Sequence, residues 1–354
     1  MTVAGGRAGP AGPVAGIRAE AVGAWFCDNV PGARPPLDFE LIAGGRSNLT
    51  YVVRDAAGAV WVLRRPPLSG VLPSAHDMAR EHRIISALHD TPVPVPGAVG
   101  LCQDPGVTGA PFYVMEHVDG VVPRDQATVE GAFDERQRAG IAASMVATLV
   151  ALHRVDPDAV GLGDLGRRDG YVGRQLRRWG RQWEQSKTRE LPAIEEVAHR
   201  LAARVPPQQG PATIVHGDYR LDNLMVSPAG QVVAVLDWEL CTLGDPLADV
   251  GLLLVYWPGP GDEVRPLTSP PSILPGFPSR AELAGAYAGG SGRDLSELDF
   301  YVALGFWKLA VILEGVYARS AAGAYGGRFA YQEFPAIVTR LSEQALDATA
   351  SAGR

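Results

Sequence analysis

The sequence predicts an α+β protein in two lobes, a small antiparallel sheet followed by a larger, mainly helical part. Three observations predict it. At 354 residues the chain exceeds what one core ordinarily holds, so two lobes are expected. Short apolar runs of strand character, separated by turn residues, crowd the stretch from Phe39 to Met115. From Ala139 onward most apolar residues recur at helical spacing. The formal net charge of -7 argues against a general nucleic-acid binder. Cys27, Cys102 and Cys241 are far apart and odd in number, with no metal-binding spacing and no disulfide framework. That points to a reducing compartment, the cytoplasm. No signal-peptide core is read in the Gly/Ala/Pro-rich start, and no apolar run reads as a membrane span.

Residues 1 to 16 are expected to be disordered, because Gly, Ala and Pro there bury no core. Ile17 to Val30 reads as a short amphipathic helix, and Pro31, Pro35 and Pro36 as a stiff connector that closes an N-terminal tail of residues 1–36. Phe39 to Val53 is strand, turn, strand, with the turn at Gly44-Gly45-Arg46-Ser47-Asn48. Val60 to Arg65 is the next strand, stopped by Pro66-Pro67. Ser74 to His89 is a helix that Ser74 and Asp77 are placed to cap. Thr91 to Pro96 is an extended Pro-rich connector, with a strand from about Ala98 to Gln103. Phe112-Tyr113-Val114-Met115 is an apolar strand running into Glu116-His117-Val118-Asp119-Gly120.

The helical part opens with Ala139 to His153, where Ile141, Met145, Leu149, Val150 and Leu152 lie on one side. Tyr171 to Glu190 carries Arg174, Arg177, Arg178 and Arg181 with Trp179 and Trp183 one turn apart. Two readings stand. Either the indoles pack inward and the arginines sit in solvent, or the helix is a basic, aromatic wall for an anionic substrate. Pro192 to Ala203 is a further helix, residues 258–279 a Pro/Gly/Ser-rich loop, Tyr301 to Tyr317 a long apolar helix, and Phe334 to Leu346 the last one, after a flexible break at 321–327.

The chemistry concentrates at Ile214-Val215-His216-Gly217-Asp218-Tyr219-Arg220-Leu221-Asp222-Asn223-Leu224-Met225. It is a polar loop framed by two short apolar strands. A second apolar run, Val232 to Leu236, ends in Asp237-Trp238-Glu239 and reads as a hairpin return that brings Asp237 beside Asp218 and Asn223. Phosphoryl transfer needs metal on the phosphates and a carboxylate to orient the acceptor hydroxyl. Asn223 and Asp237 would hold Mg²⁺ through oxygen, and Asp218 would take the hydroxyl proton. An Asp-x-x-x-x-Asn alone is more often a loop with local turns. The second Asp reverses that.

At these residues the chain resembles the aminoglycoside phosphotransferase group, whose fold is protein-kinase-like. His216-Gly217-Asp218 with Asn223 is similar to the kinase catalytic loop, with Gly217 in place of its Arg, and Asp237-Trp238-Glu239 stands where D-F-G would be. The resemblance implies a two-lobed protein-kinase-like fold: a nucleotide-binding lobe with hinge at 37–118, and a helical lobe with catalytic loop and acceptor site at 119–354. It implies that Mg-ATP or Mg-GTP binds between the lobes. Ser47 and Asn48 would contact phosphates, Arg64 or Arg65 would replace the phosphate-binding Lys, and Glu81 would pair with it. Met115, Glu116 and Val118 would meet the base. Asp218 and Arg220 would be catalytic, with Arg220 on the moving phosphoryl group. In G-D-P-x-x-D, Asp249 would brace the loop.

Leu63-Arg64-Arg65-Pro66-Pro67 and Leu72-Pro73-Ser74-Ala75-His76 are most similar to phosphotransferases resembling the kinase-like domain of acyl-CoA dehydrogenase fusion proteins. That subgroup implies a small-molecule hydroxyl acceptor, a hydroxyacyl-CoA or hydroxy acid, with neither nucleic acid nor membrane as partner. Two alternatives stand: an aminoglycoside 3'-type phosphotransferase, and a non-catalytic nucleotide-binding pseudokinase. Oligomeric state is not legible.

Overall fold

Alternation along the first strands decides how the sheet is covered. The structure, a computed structural model, describes residues 14–42, 48–68, 77–262, 266, 269–322 and 332–351. It divides into two compact units: the described residues of Met1–Asp90 with Val95–Asp119, and those of Thr91–Pro94 with Gly120–Arg354. The first contains helix α1 (Ala19–Asn29), strands β1 (Asp38–Leu41), β2 (Leu49–Arg54) and β3 (Val60–Arg65), helix α2 (Met78–Leu88), strand β4 (Ala98–Cys102), a short helix α3 (Pro105–Thr108) and strand β5 (Phe112–Glu116).

These strands form one antiparallel sheet in the order β1-β2-β3-β5-β4. Because side chains alternate along a strand, Tyr51, Val53, Leu63, Phe112 and Val114 share one face. They bury against Val22, Phe26 and Val30 of the α1 segment, spaced four apart to form a single stripe. Trp25 sets its ring edge-on to Phe112 at 4.9 Å. The opposite parity, Val62, Arg64, Tyr113 and Met115, meets α2, which packs on β4 and β5. Asp77 caps α2 by accepting from the Arg80 amide, so the helix starts at Met78, later than Ser74, which lies outside the described residues.

Order begins earlier than composition suggests. The Tyr51 hydroxyl donates to the Ala15 carbonyl, and Arg65 donates to the Gly16 carbonyl. Residues 14–16 are thus held through their backbone, which needs no apolar side chain. Residues 1–13 and 43–47, with most of the expected turn, lie outside the described residues.

The second unit is built on helices α4 (Gln126–Ala132), α5 (Glu135–Arg154), α6 (Tyr171–Ser186) and α7 (Pro192–Ala203). Strands β6 (Thr213–Val215), β7 (Leu224–Val226), β8 (Val232–Val235) and β9 (Thr242–Gly244) follow, then helices α8 (Leu247–Val255), α9 (Arg280–Ser291), α10 (Leu298–Ala321) and α11 (Phe334–Ser351). Helix α5 starts four residues before Ala139 because Asp134 and Gln137 form a capping box. Helix α10 runs through the unit against α6, α7, α8 and α11. At its crossing with α8, a Cβ on Gly251 would lie 2.5 Å from the Tyr301 backbone, so only glycine permits the approach.

Helix α10 is the longest of the described helices. At 24 residues it is long and apolar enough to cross a membrane by length and composition. Its apolar residues are mostly buried among the neighbouring helices, and Glu314 inside it accepts from the backbone and hydroxyl of Thr188. The expected helix break at 321–327 falls mainly outside the described residues.

Candidate active site

The polar loop is pinned at both ends. Strand β6 enters it fully buried and pairs with β9, while β7 leaves it and pairs with β8. The Leu236 amide donates to the Asn223 carbonyl at 2.8 Å, so the hairpin return delivers Asp237 next to Asn223. Asp237 has φ +64°, the one non-glycine residue among those described in the left-handed region. Asp tolerates that conformation better than most residues, at a cost of about 1–3 kcal/mol.

Backbone contacts hold the loop's shape. The amides of His216 and Gly217 donate to Oδ2 and Oδ1 of Asp249 at 2.7 and 2.8 Å. His153 Nε2 lies 3.3 Å from the same carboxylate, and its Nδ1 lies 2.8 Å from the Tyr287 hydroxyl. Burial, the largest influence, pushes the Asp249 carboxyl up, but His153, His216 and the Gly217 amide outweigh it, and its pKa falls below the ordinary value. His216 is fixed as one tautomer. Its Nε2 donates to the Leu236 carbonyl at 2.9 Å, and its Nδ1 accepts from the Asp218 amide at 3.2 Å.

Gly217 sits at φ +84°, where a Cβ would meet the Leu240 carbonyl oxygen at 2.7 Å. That conformation and that contact admit only glycine at this position without strain. Its carbonyl accepts from Lys308 Nζ at 2.7 Å, and the ammonium lies 5.6 Å from the centre of the Trp179 ring. Gly217, the residue before Asp218, is therefore held at its amide by Asp249 of α8 and at its carbonyl by Lys308 of α10.

Asp218 has one oxygen committed. Oδ2 accepts from Asn223 Nδ2 at 3.0 Å and from Arg220 Nε at 3.2 Å, which leaves Oδ1 for an incoming hydroxyl. Burial raises its pKa, but Arg220, Lys308, His216 and the Asn223 hydrogen bond together pull it below the ordinary value. Arg220 also pairs with Asp222 at 3.0 Å and stacks over the Tyr256 ring at 4.7 Å.

Asp222 behaves oppositely. Burial raises its pKa, Arg220 offsets this in part, and the charges of Asp218 and Asp237 raise it further. Its Oδ1 is buried with no hydrogen-bond partner. Among the described residues no group of three or more His, Cys, Asp or Glu side chains is gathered as a ready metal site, but an orphaned carboxylate oxygen beside Asn223 is the kind of ligand a divalent cation prefers. Asn223 spends its amide nitrogen on Asp218, so its amide oxygen is what it offers such an ion.

In the sheet unit, Arg64 Nε lies 3.1 Å from Glu81 Oε2, both side chains nearly buried. The Asn48 amide donates to Glu81 Oε1 at 3.3 Å, and the Tyr113 hydroxyl to Oε2 at 3.1 Å. Arg64 is thus the arginine that faces Glu81, while Arg65 points to the α1 face and donates to the Thr108 carbonyl at 2.9 Å. Ser47 lies outside the described residues. Met115 is buried, Glu116 is exposed with its amide donating to the Gly97 carbonyl at 2.8 Å, and Val118 is half-buried.

Helix α6 has the geometry of the first of its two readings, indoles packed inward and arginines outward. Trp179 and Trp183 are buried, while Arg177, Arg178 and Arg181 are exposed. Sequence reasoning passed over Asp222, Tyr256, Lys308 and Tyr113. Asp222 was visible beside Asn223. The other three reach their partners from separate elements, and no spacing in the sequence signals that.

The family model described as "Phosphotransferase enzyme family" matches residues 38–301. Acyl-CoA dehydrogenase family member 10 of Mus musculus is 36% identical over 316 residues, covering 88% of this chain and 29% of the mouse protein. This chain therefore spans about a third of the length of the curated relatives it matches. A crystal structure from Ralstonia eutropha, provisionally assigned as an aminoglycoside phosphotransferase, is 33% identical with a TM-score of 0.79, covering 94% of this chain and 98% of that one. Amicoumacin kinase in complex with AMP-PNP, Ca²⁺ and its substrate shares the fold at 15% identity and a TM-score of 0.60, covering 94% of each chain.

Proposed function

This chain belongs to the phosphotransferase enzyme family, and we propose that it moves the terminal phosphoryl group of ATP to a hydroxyl of a small anionic acceptor, a hydroxyacyl-CoA or a hydroxy acid. The observation that carries the chemistry is Asp218. One carboxylate oxygen is locked by Asn223 and Arg220, and the other is left to orient and deprotonate the acceptor hydroxyl. Its low pKa keeps it ionised at neutral pH. Arg220, held by Asp218, Asp222 and Tyr256, stabilises charge on the moving phosphoryl group. Arg64, braced by Glu81, binds nucleotide phosphates, and the backbone at Glu116 and Val118 meets the base. A divalent cation, when bound, neutralises phosphate charge; Asn223 and Asp237 are the residues that would hold it.

Two things support an anionic acceptor. Lys308 and the α6 arginines place cations on the catalytic-loop side of the helical unit, which disfavours a polycation. The mouse and chicken relatives carry names from acyl-CoA chemistry. The Ralstonia eutropha relative's provisional assignment favours a second reading, an aminoglycoside acceptor.

The test is ADP release from Mg-ATP with hydroxyacyl-CoAs, hydroxy acids and aminoglycosides. We expect turnover on an anionic acceptor, and a loss of about 100-fold or more in Asp218→Asn with nucleotide affinity kept. An active Asp218→Asn would remove the general-base assignment. Nucleotide binding without any turnover would favour a pseudokinase.

A further inference from the structure

Arg174, Arg177, Arg178 and Arg181 stand at i, i+3, i+4 and i+7 of α6, so successive turns of one face each carry a guanidinium. Arg167, from the loop before the helix, and Gln175 complete a groove with them. Among the described residues, none of these five arginines takes part in an ion pair. Arg174 donates instead to the backbone carbonyls of Arg167 and Asp169. Burial lowers its pKa, and the charges of Arg167 and Arg177 lower it further. Five like charges are thus collected with no ion pair among the described residues and only Asp169 acting as a nearby counter-charge on Arg174, in a protein whose formal net charge is -7.

Size and position narrow the ligand. At 1.5 Å per residue, the row from Arg174 to Arg181 is about 10 Å long, more than one phosphate spans. Planar guanidinium forks match phosphate oxygens two at a time. Gln175 lines both this groove and a neighbouring cavity bounded by Gly217, Trp179 and Lys308. Arg178 lies over one side of that boundary, its guanidinium 5.1 Å from the Trp179 ring centre. The groove therefore adjoins the catalytic loop.

We propose that this groove binds two or more linked phosphate groups at the end of the acceptor remote from its reacting hydroxyl. The inference rests on the phosphotransferase reading above and assigns recognition of the acceptor to α6. Anchoring a charged handle there leaves the uncharged, hydroxyl-bearing end to reach Asp218. Arg177, Arg178 and Arg181 carry most of the affinity, because their side chains are exposed and unpaired. Arg174 and Arg167 set the background potential.

The experiment is titration calorimetry on the full chain with its nucleotide site filled by Mg-ADP. The probes are inorganic pyrophosphate and adenosine 3',5'-bisphosphate. The wild type is expected to bind at least one probe. The triple variant R177Q/R178Q/R181Q is expected to weaken that binding at least about 30-fold. Arg200→Gln, a surface charge change on α7, controls for net charge, and unchanged Mg-ADP affinity of the triple variant confirms its fold. Wild type that binds neither probe, or a triple variant that binds as wild type does, would overturn the proposal. So would tighter binding of a single-stranded oligonucleotide than of either probe. Loss of probe binding in the triple variant, with no wild-type turnover on any hydroxyl, would keep the groove and sink the phosphotransferase reading. Turnover on a phosphate-bearing acceptor that the triple variant retains would do the reverse.

Discussion

Asp218 owes its direction to residues from separate elements on either side of its loop. The residue before Asp218 is held by Asp249 at the Gly217 amide and by Lys308 at the Gly217 carbonyl. Lys308→Met should therefore lower turnover by about ten- to a hundredfold with little change in nucleotide affinity, since small misplacements of a catalytic group are costly. Lys308→Arg should recover part of it. Steady-state kinetics with separate KM and turnover values decides this, and a KM effect alone would argue against positioning. Asp249 makes a pH prediction. Its folded pKa is depressed, so it stabilises the fold above its unfolded value near 3.9 and ceases to do so as pH falls through the folded pKa. Asp249→Asn should lower the Tm at pH 7, and the gap to wild type should narrow below about pH 4. Thermal melts across pH 3–7 measure it.

Elements succeed or fail at their crossings. Helix α8 lies so close to α10 that a methyl group on Gly251 would overlap the Tyr301 backbone. Gly251→Ala should destabilise by about 1–3 kcal/mol, read by chemical denaturation, despite alanine's better helix propensity. A stabilised variant would mean the crossing can open at no cost. In the sheet unit, Arg64 and Glu81 join β3 to α2 through a nearly buried ion pair. Removing one partner leaves the other charge unpaired. Glu81→Gln should therefore weaken nucleotide binding while Arg65→Gln, on the opposite face, loosens the α1 segment instead. Nucleotide titration and limited proteolysis near Gly16 separate the two outcomes.

Across the whole molecule, ligand linkage gives the broadest check. A nucleotide at 100 times its Kd adds about 2.7 kcal/mol of stability. Mg-ADP should raise the Tm more than ADP does without metal. Asp237→Asn should erase that difference if the cation is held as proposed, by Asp237 and Asn223. A metal-dependent Tm shift that survives Asp237→Asn would move the metal site elsewhere.

The sequence by itself determined the order and type of the main elements, the polar loop around Asp218 and Asn223, and the return of Asp237. Each of those rests on local physics: strand alternation, helical spacing, and a hairpin short enough to fix its own register. Length and strand placement also sufficed for an α+β fold. Tertiary structure alone decided which arginine faces Glu81, because adjacent strand residues point to opposite faces and only packing of α1 and α2 names those faces. It alone brought Lys308 to Gly217 across 91 positions, and Tyr256 under Arg220. It also turned a composition-based expectation of disorder at residues 14–16 into anchored backbone, since carbonyl groups accept hydrogen bonds whatever side chain they carry. Contacts between distant elements leave no periodic trace in the chain, so they become visible only when the elements are packed.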